Sequence, residues 1–145
     1  MANYDMKVYG LFAKSLANKE VDLDSDTLKA MLVDASYTPD QDTHQYKSHV
    51  TGEITGTGYT AGGQTLSNVT VTYNPATNSL VLDADDPVWP SSTLTARGVV
   101  IYDDTPSTNK PLIAYGVFSE NVSSTAAAFT VQLPSTGILS LTAAS

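Results

Sequence analysis

The sequence predicts an all-β chain: a two-layer antiparallel β-sandwich, of which the jelly roll is one form, with one or two short helices near the N-terminus. Three observations predict it. Thr and Ser, 19 and 15 of the 145 residues, carry most of the polarity, and Thr favours strands. From His49 onward, apolar and polar residues alternate in short runs. Turn signals separate those runs at intervals of about 8–12 residues, the rhythm of sandwiches and barrels. Clean alternation also favours antiparallel sheets over a parallel sheet covered by helices.

The elements follow in order. Val8, Leu11, Phe12 and Leu16 stand at i, i+3, i+4 and i+8, which predicts a short amphipathic helix ending near Asn18. A strand is the alternative, because Val8 and Phe12 share a period-2 face and Gly10 weakens a helix by about 1 kcal/mol. Leu28, Ala30 and Leu32 alternate with Lys29, Met31 and Val33 and predict a strand. Thr38-Pro39-Asp40-Gln41-Asp42 carries helix-start chemistry: an N-cap, a proline for the first position and acids for the dipole. It predicts either a helix of about two turns through Tyr46 or a surface loop. Beyond it the predicted strands are 50–57, 64–73, 79–85, 93–102, 111–118, 127–133 and 137–142. In 69–73, Val and Tyr alternate with Thr, and Asn74-Pro75-Ala76-Thr77-Asn78 follows as a hairpin turn.

A chain of 145 residues without linkers, low-complexity tracts or internal repeats reads as one domain, 1–145, with 1–17 as a contact arm or short helix. No apolar run approaches the roughly 20 residues that span a bilayer, and no signal peptide is expected. The absence of Cys removes disulfides, thiolate metal sites and cysteine nucleophiles. A net charge of −8, with one Arg and six Lys, argues against binding a nucleic-acid backbone.

Few motifs promise chemistry. Gly56-Thr57-Gly58-Tyr59-Thr60-Ala61 spells a dinucleotide fingerprint, but no helix follows to hold a pyrophosphate, so it reads as a loop. Asp22-Leu23-Asp24-Ser25-Asp26 opens like a calcium loop, yet Thr27 stands where the EF-hand needs Gly and Val33 where it needs Glu. A looser site with Asp83, Asp85 and Asp86 is the alternative to acidic turns. His44 and His49 lie five apart, wrong for a helical metal pair, and read as surface or interface histidines. There is no Gly-x-Ser-x-Gly elbow, so no catalytic residue, cofactor or metal is assigned. Trp89, between Pro87 and Pro90, reads as a plug at the sandwich edge, with an exposed interface anchor as the alternative. Tyr4, Tyr9, Tyr37, Tyr46 and Tyr59 lie outside the cleanest strands and read as better contact candidates than Tyr73, Tyr102 and Tyr115.

Four stretches are distinctive as a set: Tyr37-Thr38-Pro39-Asp40-Gln41-Asp42-Thr43-His44, Gly56-Thr57-Gly58-Tyr59-Thr60-Ala61-Gly62-Gly63, Asp83-Ala84-Asp85-Asp86 with Trp89, and Thr95-Ala96-Arg97-Gly98-Val99-Val100-Ile101-Tyr102-Asp103-Asp104. Together they resemble small structural proteins of tailed bacteriophages, most like capsid decoration, or cement, proteins. The resemblance implies a non-enzymatic virion protein, often trimeric, that binds the major capsid protein and bridges neighbouring capsomers. No membrane or nucleic-acid partner is expected, from the short apolar runs and the acidic charge. A tail-associated or host-receptor-binding role is the alternative. The first expected contact is the arm 1–17, through Tyr4, Lys7, Tyr9, Phe12 and Lys14, because its lysines can meet acidic capsid surface. The other reading of the arm is that its apolar stripe packs on the sandwich.

Overall fold

The computed structural model describes residues 3–145. Its elements in order are β1 (Met6–Val8), α1 (Phe12–Ala17), β2 (Leu28–Val33), the 3-10 turn Lys47–His49, β3 (Gln64–Thr65), β4 (Thr70–Asn74), β5 (Ser79–Asp83), β6 (Val88–Asp103), β7 (Leu112–Thr130) and β8 (Leu139–Thr142). The strands form two antiparallel sheets, β1-β7-β6-β2-β3 and β4-β5-β8, which pack together. This is the predicted all-β sandwich, with one short α-helix near the N-terminus.

The spine is the hairpin of β6 and β7, 16 and 19 residues long. Its two ends differ. Near the turn, Val99, Val100, Ile101 and Tyr102 are buried without a break, as are Leu112, Ile113 and Ala114 opposite them. Unbroken burial requires cover on both faces. One face carries the three-stranded sheet. The other carries a layer of loops: Tyr9 packs on Tyr115 with ring centres 4.7 Å apart, and the Tyr102 hydroxyl donates to the Gly62 carbonyl at 2.7 Å. At the far end the burial alternates. Leu94 and Ala96 are buried, while Thr93 and Thr95 face solvent.

Several predicted boundaries are corrected. The segment 8–18 divides at Gly10: Val8 ends a strand and Phe12 begins a helix, so each reading holds for one half. The stretch 38–46 is the loop alternative. There Asp40 Oδ1 accepts the N–H groups of Asp42 and Thr43, a local turn that competes with a helix. The stretch 50–57 is not a strand and keeps only single bridges at Glu53 and Thr57. Gly52 and Gly58, at φ of 72° and 85°, turn the chain away from an extended path. The stretch 64–73 is two strands, parted at Asn68 with φ of 51°. Predicted strands 111–118 and 127–133 are parts of one, which ends at Thr130. β6 starts before the predicted residue 93 and absorbs Pro90 through register shifts between Trp89 and Leu94.

The three-stranded sheet has an apolar face that is longer than the core beneath it. Register places Val71, Tyr73, Leu80, Leu82, Leu139 and Leu141 on that face. Leu82 and Leu139 are 0 % and 4 % exposed, whereas Tyr73 and Leu141 are 57 % and 48 % exposed. The overhang leaves a groove of about 520 Å³ lined by Val71, Leu80 and Leu141 together with Leu16, Val21 and Leu23.

Candidate interaction surface

The N-terminal arm is only partly surface. Tyr9 and Phe12, expected as contacts, are 0 % and 2 % exposed and belong to the core. Tyr9 fills the space against Tyr115, and its hydroxyl donates to Tyr37, whose own hydroxyl donates to His44 Nδ1, each at 2.9 Å. Burial and that hydrogen bond push the Tyr9 hydroxyl far above its ordinary range. Phe12 turns the apolar side of α1 inward. The apolar stripe of the arm thus packs on the sandwich.

Tyr4 is half-buried. Its ring lies over Gly116, where a Cβ would collide with it, and meets Phe118 edge-on at 5.3 Å. Its hydroxyl donates to the Gln132 carbonyl at 2.7 Å, and burial, aided by Asp86, pushes its pKa up to about 12. Lys7 and Lys14 are exposed, Lys7 on β1 opposite Tyr115 and Lys14 on α1. A groove of about 340 Å³ runs beside β1, lined by Tyr4, Asp5, Lys7 and Val117 among others. Of the five expected contacts, Tyr4, Lys7 and Lys14 therefore offer surface. Residues 1 and 2 of the arm lie outside the described residues.

The aromatic ranking from sequence is reversed at three positions. Tyr37 and Tyr9 are buried, and Tyr73 is the most exposed large apolar side chain among those described. Trp89 is 2 % exposed, with Tyr59 stacked at 6.0 Å and Phe129 edge-on at 6.1 Å, so it is the interior plug.

The polar clusters serve the backbone. Asp22 Oδ1 accepts the Asp24 N–H and Asp26 Oδ2 the Asp22 N–H, so the acidic run folds as a turn. The His44 and His49 rings stack at 5.8 Å. His44 Nδ1 accepts the Asp40 N–H, and His49 Nδ1 accepts those of Gln45 and Tyr46. In the glycine loop, Glu53 Oε1 accepts from the Tyr59 hydroxyl at 2.9 Å and the Gly62 N–H at 2.5 Å. Gly63, at φ of 85°, lies so close to Ala30 that any Cβ would strike its carbonyl. Among the described residues no three His, Asp or Glu side chains converge as a metal site.

One carboxyl stands apart. Asp103 is fully buried at the end of β6; its Oδ1 accepts the Thr105 N–H at 2.9 Å, and its Oδ2 has no donor among the described residues. Burial, reinforced by the Asp26 carboxyl, raises its pKa to about 7. No sequence signal marked this pair, because its members lie far apart in the chain.

The chain matches no known family model, and neither the curated proteins nor the solved structures contain a significant match.

Proposed function

We propose that the chain is a non-enzymatic structural protein of a tailed-bacteriophage particle that coats the capsid and bridges neighbouring capsomers. The observation that carries this reading is the set of four stretches that resemble decoration proteins. Their placement is compatible with a family scaffold. Tyr59 of the second stacks on Trp89 beside the third, and Tyr102 of the fourth donates to Gly62 of the second. Two further features support it. The polar clusters are occupied by backbone groups, and much of the exposed surface is uncharged. A repeated shell needs only weak contacts per copy, because many act together.

The exposed Lys7 and Lys14, with the half-buried Tyr4, are the proposed contact with the major capsid protein. Antiserum against the purified chain, applied with gold label to particles of the phage that encodes it, tests the reading. Label spread over the capsid is expected. Label confined to the tail assigns the alternative tail or receptor-binding role, and unlabelled particles overturn a virion role. Lys7→Glu with Lys14→Glu is expected to lower occupancy on shells stripped of this protein without changing the melting temperature. Unchanged occupancy removes the arm from the contact.

A further inference from the structure

We infer that β4 is a self-pairing edge: two copies of this chain join antiparallel along it, about a two-fold axis beside Thr72. The inference does not rest on the virion reading.

The edges of the sandwich are not alike. The five-stranded sheet ends in β1 and β3, of three and two residues. Strands that short are a common defence against edge pairing. β8 has four residues and lies near β1. β4 has five residues in unbroken register with β5, and its outer backbone groups bond to nothing else among the described residues. Its sequence Thr-Val-Thr-Tyr-Asn contains no Lys, no Pro and no bulge, the usual protections of an exposed edge.

Charge indicates the occupant. Each chain carries −8, so copies repel unless they meet where charge is absent. No charged residue stands in 67–82 or 121–145, which include β4, its hairpin turn, most of β5 and all of β8. The nearest charges are Asp83, at the end of β5 opposite Thr70, and Lys19, Asp22 and Asp24, which line the groove.

Side-chain pattern sets the register. Directly opposed residues share a face, so the apolar faces of two copies are continuous only when odd residues oppose odd ones. Centring on Thr72 uses all five residues. It sets Val71 opposite the partner's Tyr73, an aromatic and β-branched pair of the kind that stabilises sheets. Val71 also lines the 520 Å³ groove, so the partner's exposed Tyr73 comes to lie at its mouth. Thr72 meets its own copy on the opposite face. The product is a continuous six-stranded sheet, β8-β5-β4 twice over.

Light scattering on a sizing column across a wide range of concentration tests this, with Thr72→Lys and Tyr73→Ser as variants. Both positions are exposed, and circular dichroism verifies that each variant folds. The wild type is expected to reach about 31 kDa, twice the 15.3 kDa chain. Thr72→Lys opposes two ammonium groups across the axis and is expected to weaken pairing at least tenfold, with Tyr73→Ser having a smaller effect in the same direction. A monomer at every concentration overturns the inference, as does a trimer or a dimer that Thr72→Lys leaves intact. Protection of β4 amides only on addition of capsid shells also overturns it, and assigns the edge to a shell protein.

Discussion

The two sheets solve the same problem in opposite ways. Each must bury one apolar face and manage two edges. The five-stranded sheet is covered on both faces along half its length, and its edges are strands of three and two residues. The three-stranded sheet covers the core with Leu82 and Leu139, then continues past it with Tyr73 and Leu141 still in line. One sheet is finished within a single chain; the other is built as though more protein were to follow. The strand pattern of an apolar face therefore says which side is apolar, while the extent of the layer beneath decides how much of it is core.

Substitutions on that shared face sharpen the contrast most. Leu82→Ala removes a fully buried side chain and is expected to cost about 3 kcal/mol by urea unfolding. Leu141→Ala, the same chemical change one pair further along the sheet, is expected to cost under about 0.5 kcal/mol in the monomer. Equal costs would mean that the sheet does not overhang the core.

The closed end has its own signature in pH. The folded-state pKa of Asp103 is raised, so its contribution is most favourable when both folded and unfolded carboxyls are protonated. It declines as pH rises above the ordinary carboxylate range and is lost through the folded value near 7. Between about pH 5 and pH 8 the wild type is expected to lose about 2 kcal/mol from this source. Asp103→Asn is expected to flatten that dependence, as read from unfolding curves at each pH. A wild type equally stable across the range contradicts the raised pKa of Asp103.

Smaller effects come from the far end of the long hairpin, where one face is wet. Ser92 and Ser124 are buried there, with their hydroxyls 2.8 Å apart, and Ser124 Oγ accepts the Leu94 N–H. Ser124→Ala is expected to cost about 1 kcal/mol in thermal unfolding. The pair Lys7→Glu and Lys14→Glu, both exposed, is expected to change stability by less than about 0.5 kcal/mol.

Much of this fold was legible in the sequence. Strand 28–33, the hairpin around Asn74–Asn78 and the last strand follow from alternation and turn residues that agree with the tertiary structure. The segment 50–57 departs from a strand because only Glu53 and Thr57 bridge, singly, to the large sheet, while Gly52 and Gly58 turn the chain on either side of them. The contact arm was half legible. Lys7 and Lys14 point outward as their charge demands, but Tyr9 and Phe12 fill the core, because a tyrosine outside a strand can still plug a sheet when its hydroxyl finds a partner. Tyr73 was passed over for the converse reason. Its strand is regular, and only the three-dimensional length of the core shows that the ring is bare. The Asp26 and Asp103 pair depends on a contact across the fold that no local pattern encodes.

Hydrogen exchange of the β4 amides, followed as a function of protein concentration, tests the contrast between the two sheets most directly. Protection at 70–74 is expected to rise with concentration, while that of β6 and β7 stays unchanged. Exchange at β4 that is independent of concentration would contradict the account, and would make the three-stranded sheet as complete within one chain as its partner.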